Sequence, residues 1–180
     1  MLTLINRLKS DEALMLAYQR GDAAAFDCLY HRHKDGLFAF LYRSCSRRAV
    51  VEELAQDAWV GVINAAPGYK SEARFRTWLY RIAHNRLVDF WRRRDNQHTG
   101  LDNAPEPATE TNPESAGELA QELMRAIGQL PNEQRDALLL REQGFSQREI
   151  ADITRCPEET VKSRLRYARA QLRQQLGGES

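Results

Sequence analysis

Residues 146–166 constrain the fold more tightly than any other stretch of the chain. Ser146 is followed three residues later by Glu149, the spacing of a capping box, and Ile150, Ala151 and Ile153 then give a short helix one apolar side. Pro157 restarts the chain after a break, because its fixed φ suits a first helical turn. Glu158 and Glu159 oppose the positive N-terminal dipole, and Val161, Leu165, Ala168 and Leu172 recur at helical spacing. This pattern predicts a helix-turn-helix. Outside the apolar stripe, the stretch from Thr160 onward carries Thr160, Lys162, Ser163, Arg164, Arg166, Tyr167 and Arg169 with no acid among them. Such side chains reach phosphates and base edges in a major groove, which points to double-stranded DNA. A basic helix alone would equally suit the solvated face of an ordinary bundle; the capping box, turn and one-sided charge together favour DNA.

No alternating strand pattern competes elsewhere, so the chain is predicted to be all-α. Leu14, Ala17 and Tyr18 suggest a short helix ended near Gly21, and Phe26, Leu29, Tyr30, Leu37, Phe40 and Leu41 keep a helical period past Gly36. Val51, Leu54, Ala55, Ala58, Trp59, Val62 and Ile63 form a broad apolar face that stops at Ala66-Pro67-Gly68. A loop follows, and then Phe75, Trp78, Leu79, Ile82, Ala83, Leu87 and Phe90 mark a long helix with a basic outside. Phe75, Trp78 and Phe90 are expected in the core; Tyr80 and Trp91 are less clearly inside. From 96 to 117 the chain changes character, with Pro105, Pro107 and Pro113 among Thr, Asn and Glu. Beyond it, Leu119, Leu123, Ile127 and Leu130 begin a second helical domain, and Pro131 opens a helix through Leu140. The expected architecture is two small helical domains, residues 1–95 and 118–180, joined by a flexible acidic linker over 96–117.

The formal net charge of +1 conceals segments of opposite sign. Lys70, Arg74, Arg76, Arg81, Arg86, Arg92, Arg93 and Arg94 face only Glu72 and Asp89, whereas Asp102, Glu106, Glu110, Glu114 and Glu118 make the connector wholly acidic. Basic modules around an acidic connector suggest a polyanionic partner. Arg7, Lys9, Asp11 and Glu12 interrupt the N-terminal apolar run, so no secretory signal or membrane insertion is expected and the chain reads as cytoplasmic. Cys28, Cys45 and Cys156 lack C-x-x-C spacing and fit reduced thiols. Cys28 and His31 could share a helix face but His31 and His33 cannot, which argues against a metal site.

Residues 73–94 interleave aromatics and arginines, a mixture suited to single-stranded nucleic acid, where rings stack on bases and arginines hold the backbone. Three segments taken together carry a resemblance: Glu52-Glu53-Leu54-Ala55-Gln56-Asp57-Ala58-Trp59-Val60, the stretch from Phe75 to Arg94, and Thr160-Val161-Lys162-Ser163-Arg164-Leu165. In that order they resemble bacterial RNA polymerase sigma factors of the extracytoplasmic-function group, over nearly the whole chain outside the linker.

The resemblance implies a non-enzymatic initiation factor without cofactor. By position, it implies a docking surface for the polymerase clamp coiled coil at Glu52, Glu53, Leu54, Gln56, Asp57 and Val60. It also implies a specificity loop at Tyr69, Lys70, Ser71, Glu72, Ala73 and Arg74 that receives a base flipped from the non-template strand of the minus-ten element. Arg76, Arg81, Asn85, Arg86, Arg92 and Arg93 would line that strand or the upstream duplex. Arg155, Glu159, Thr160, Lys162, Ser163, Arg164, Arg166, Tyr167 and Arg169 would read the minus-thirty-five element; among the basic residues, Lys162 and Arg164 are expected in the groove and Arg169 and Arg173 on the backbone. The implied partners are core RNA polymerase, promoter DNA as duplex and single strand, and an anti-sigma factor.

Three departures accompany the resemblance. Arg155 stands where the family usually has glycine, and a left-handed conformation there costs on the order of 1 kcal/mol. Glu159 stands where another glycine is common and brings negative charge near phosphates. Gly61 replaces a longer residue and is expected to weaken its helix by roughly 0.8–1 kcal/mol relative to alanine. Two rival readings lack their requirements. A regulator binding DNA alone as a dimer needs a dimerisation surface, and none is visible. An enzyme on DNA needs a nucleophile or carboxylate cluster, whereas Ser163, Tyr167 and Tyr80 are better explained as contacts or packing.

Overall fold

The computed structural model describes residues 2–97 and 117–177. The acidic connector lies almost wholly outside the described residues: 96 and 97 belong to the helix before it, and Gly117 precedes the helix after it. Among the described residues the secondary structure is entirely helical, in two groups. The first contains α1 (Leu2–Leu8), α2 (Asp11–Gln19), α3 (Ala23–Cys45), α4 (Arg48–Ala65), a 3₁₀ turn (Ala66–Gly68) and α5 (Phe75–Gln97). The second contains α6 (Glu118–Gly128), α7 (Asn132–Glu142), α8 (Gln147–Thr154) and α9 (Glu158–Leu176).

Local chemistry sets most boundaries. Ser10 and Asp22 cap α2 and α3 by accepting from the N–H groups of Ala13 and Ala25. Gly21, at φ +98°, makes the left-handed turn between these helices. At α8 the capping box is complete: the Ser146 N–H donates to Glu149 Oε2 at 2.8 Å, and the Glu149 N–H to Ser146 Oγ at 3.2 Å. Helix α8 ends on Arg155 at φ 53° and ψ 47°, in the left-handed region.

The core of the first group is built from Leu14, Met15, Leu29, Leu37, Phe40, Leu41, Val51, Val62, Phe75, Leu79 and Leu87, all fully buried. Where α4 packs on α5 the Ile82 side chain comes close to the α4 backbone, and a Cβ at Gly61 would lie 2.8 Å from Ile82 Cγ2. The glycine expected only to weaken α4 is what lets the two helices touch there. In the second group Leu140, Ile150, Ile153, Val161, Leu165 and Ala168 close the core.

Helix α5 is shared between the groups, packed on α4 and on α8. Its buried residues are Phe75, Thr77, Leu79, Tyr80, Ala83, His84 and Leu87. This corrects the expected stripe: Tyr80 is fully inside, while Trp78 and Phe90 are only partly buried; Trp91 is partly buried as well, in keeping with its expected place outside the stripe. The cause is a second covered face. Tyr80 packs on Phe40 at 5.6 Å and on Phe145 at 4.9 Å, and its hydroxyl donates to Gln143 Oε1.

Candidate nucleic-acid and polymerase interfaces

Helix α4 buries Val51, Leu54, Ala58, Trp59, Gly61 and Val62, which leaves Glu52, Glu53, Gln56, Asp57 and Val60 exposed. Of the residues expected to dock polymerase, Leu54 therefore serves the core behind the face. Val60 is 48% exposed and Ile63, one turn on, 43%, so the outward surface pairs acids with uncovered aliphatic groups. Glu52 is already engaged by Arg48 at 3.1 Å. Glu53 and Asp57 border a groove that Arg93 and Arg94 of α5 complete from the other side.

The loop before α5 is pinned from within. Tyr69 is 5% exposed, its ring lies 5.0 Å from Trp78, and its hydroxyl donates to the Ala73 carbonyl at 3.2 Å. Burial, with Glu12 and Asp11 nearby, pushes the phenol up to about 12. Gln19 Nε2 donates to the carbonyls of Ala66 and Tyr69 at 2.6 and 2.8 Å, and the Phe75 N–H at the start of α5 donates to Glu12 Oε1. Lys70, Ser71, Glu72 and Arg74 face outward on this anchored frame, Ala73 being half-buried. Gln19 and Glu12, which hold the loop, were not singled out in the sequence; they lie 47 or more residues away along the chain from the groups they hold.

Along α5, the structure divides the expected DNA-lining residues. Arg86, Arg92 and Arg93 are exposed and Asn85 is half-buried. Arg76 instead lies over the Phe145 ring at 4.2 Å and donates to the Gln143 carbonyl at 2.6 Å. Arg81 pairs with Asp152 at 3.2 Å, Arg74 with Glu149 at 3.5 Å, and Thr77 donates to Glu149. Burial works against the Glu149 anion, but the Ser146 N–H and hydroxyl, Arg74 and Thr77 outweigh it and hold the carboxyl below its usual range. Glu149 and Asp152 sit three apart on α8 and so share a face, a signal that could have marked them as partners for a basic helix. Deeper in the same interface His84 Nε2 lies 3.2 Å from Asp136 Oδ2, both largely buried.

On α9, Val161, Leu165 and Ala168 turn inward and Lys162, Arg166, Tyr167 and Arg169 outward. Thr160 and Ser163 are half-buried, the Ser163 hydroxyl donating to the Glu159 carbonyl at 3.0 Å. Arg166 lies over the Tyr167 ring at 5.1 Å. Arg155, in the turn, and Glu159, in the first turn of α9, are exposed. Arg164 behaves differently from its neighbours: its guanidinium pairs with Glu133 of α7 at 3.1 Å and donates to Cys156 Sγ at 3.4 Å. It braces the turn and α9 against α7. The histidines near Cys28 are also engaged, His33 with Asp11 at 2.7 Å and His31 with the Asp27 carbonyl.

The molecule thus carries an acid-and-aliphatic face on α4, a basic loop and helix at α5, and a basic outward row on α9. The sigma-70 region 2 family model matches residues 29–97, and the sigma-70 region 4 model matches residues 120–172. The chain is 32% identical to the RNA polymerase sigma-H factor of Pseudomonas aeruginosa, over 89% of this chain and 91% of that protein. It is 33% identical to the ECF RNA polymerase sigma-E factor of Escherichia coli, over 89% of this chain and 91% of that one. Its fold is similar to that of CnrH solved with the cytosolic domain of CnrY, with a TM-score of 0.73 at 23% identity, covering 96% of this chain and all of that one. It is also similar to that of the sigma factor RpoE solved with the anti-sigma factor NepR from Bartonella quintana, with a TM-score of 0.71 at 24% identity, covering 86% and 98%. With both sigma-70 regions in order and relatives matched over most of their length, the chain belongs to the extracytoplasmic-function group of bacterial RNA polymerase sigma factors.

Proposed function

We propose that the exposed row of α4 binds core RNA polymerase and that the two promoter elements are read by separate domains. Residues 1–95 form a domain that docks polymerase and traps unpaired minus-ten bases with loop 69–74 and α5. Residues 118–180 form a second domain whose α8 and α9 make a helix-turn-helix that reads the minus-thirty-five duplex. The acidic segment between the two domains connects them. The observation that carries this reading is the separation of a non-basic face on α4 from basic faces on α5 and α9, since a protein acting on DNA alone has no use for the first.

Magnitudes divide the labour. At about 1.4 kcal/mol per base-pair step, opening ten or so steps costs on the order of 14 kcal/mol, whereas extruding one or two bases costs only a few. The chain therefore captures the first unpaired bases while polymerase supplies the rest. As a random coil the connector would average roughly 25 Å end to end, against about 70 Å extended. Elements up to two duplex turns apart, at about 34–36 Å per turn, need the extended form, which polymerase must hold.

Arg74, Arg76 and Arg81 cannot hold the second domain and line DNA at once, so promoter engagement requires the domains to part. An anti-sigma factor would act in the cytoplasm by keeping them together; the solved complex of RpoE with NepR supports a partner of that class. The test uses purified chain with core polymerase. Promoter-specific transcripts should need both, and Glu53→Arg or Gln56→Ala should weaken binding to core with helical content intact. Unchanged affinity for core in both variants would remove α4 from the reading.

A further inference from the structure

The outward side of α9 holds one residue whose charge is wrong for DNA. At 100° per residue, Glu159, Ser163, Arg166 and Ala170 fall in one row directed away from the buried Val161, Leu165 and Ala168. Glu158 precedes it by one step and points toward the flank. Both acids favour the helix N-terminus electrostatically, but only Glu159 lies in the row that would face a groove. Its carboxylate is exposed and makes no hydrogen bond or ion pair among the described residues. Arg164 is engaged elsewhere, with Glu133 and Cys156. Lys162 and Arg166, outward on the following turns, supply cations for phosphates, so binding does not depend on the acid.

A carboxylate carried into a groove loses water and accepts hydrogen bonds only, so it is tolerated where a donor meets it and costly where it meets another acceptor. Guanine offers N7 and O6 at its major-groove edge, both acceptors, and thymine offers O4 and a methyl group. Adenine has an amino donor beside the acceptor N7. Cytosine alone presents an amino group with no acceptor beside it on that edge. The N-terminal residues of a recognition helix are those that reach base edges.

We propose that Glu159 is a specificity-determining residue that accepts a hydrogen bond from the exocyclic amino group of a cytosine in the upstream promoter element. The proposal rests on the reading of α9 as the helix that enters the upstream major groove. Upstream-element libraries, transcribed by polymerase reconstituted with the wild-type chain, should show one position where cytosine is preferred by on the order of 5- to 100-fold. Glu159→Ala should flatten that position alone. Glu159→Gln should move it toward adenine, because glutamine pairs with the adenine N6 and N7 groups. Glu158→Ala removes the same charge one residue away and should leave the profile unchanged. If Glu159→Ala raises output from every promoter by a common factor with an unchanged profile, the acid only repels phosphates and the proposal is overturned. An unmoved profile and output overturn it equally. Failure of the underlying reading looks different: the wild-type chain would then select no upstream base at all, and the assignment of Glu159 would fall with it.

Discussion

Arg155 and Glu149 show how single residues at the ends of α8 act in opposite directions. Arg155 holds a left-handed conformation that a side chain with a Cβ adopts at a cost of roughly 1–2 kcal/mol, while glycine adopts it freely. Arg155→Gly should stabilise the fold by up to about 1 kcal/mol, because glycine's greater freedom in the unfolded chain cancels part of the relief. A higher urea midpoint with an unchanged slope would show it; an unchanged or lower midpoint would contradict it. Glu149, at the other end, is stabilising while ionised. Its folded-state pKa is held below the ordinary value of 4.5, so its contribution is fully present above that pH and is lost as the pH falls through the folded value. Glu149→Ala should cost about 1 kcal/mol at pH 7, and urea unfolding at pH 3 should bring variant and wild type closer together. A constant difference across that range would mean that ionisation is not the source.

Gly61 carries the clearest prediction for an element. On propensity alone, Gly61→Ala should strengthen α4 by about 0.8–1 kcal/mol. The added methyl would sit 2.8 Å from Ile82 Cγ2, a branched group beside the backbone with little room to swing, and overpacking of this kind costs typically 1–3 kcal/mol. Packing should win, and thermal unfolding should show a lower Tm for Gly61→Ala, restored in Gly61→Ala combined with Ile82→Val only if another contact relaxes with it, since valine keeps the offending methyl. Gly61→Ala with Ile82→Ala is therefore compared with Ile82→Ala alone, where the glycine substitution should be neutral or stabilising. The same crossing shows what a sequence can reveal. Helix types, the capping box at Ser146 and Glu149, and the stop at Pro67-Gly68 were legible because their causes lie within a few residues. Tyr69, Leu54 and Arg164 were legible as positions in motifs but not as orientations. Tyr69 is turned inward by Trp78 and Phe75, and Arg164 is turned sideways by Glu133, a residue 31 positions earlier. The second buried face of α5 was hidden for the same reason: its cover comes from α7 and α8, more than 50 residues away along the chain.

At the scale of the whole molecule the question is what holds the two domains together, and the kinds of contact differ enough in magnitude to decide it. The ion pairs Arg74 with Glu149 and Arg81 with Asp152 lie at the edge, where exposed pairs contribute about 0–1 kcal/mol and are screened by salt. Deeper in, Asp136 Oδ1 and Trp91 Nε1 are buried without a hydrogen-bond partner among the described residues, which works against closure. The apolar centre remains: Phe145, 1% exposed, against the Tyr80 ring and beneath the Arg76 guanidinium. Truncating a buried phenylalanine costs about 3–5 kcal/mol, several times the value of either edge pair. Closure should therefore depend on Phe145 and hardly on the salt bridges. With fluorophores on α3 and α9, Phe145→Ala should lower energy transfer between the domains, whereas Asp152→Ala or an increase from 0.1 to about 1 M salt, which shortens the Debye length to about 3 Å, should leave transfer nearly unchanged. Arg76→Ala removes the guanidinium from the same ring and leaves the helix cores untouched, so it separates opening from unfolding of the second domain. If salt alone opens the molecule and both centre variants stay closed, the edge charges hold the domains and the apolar centre is incidental.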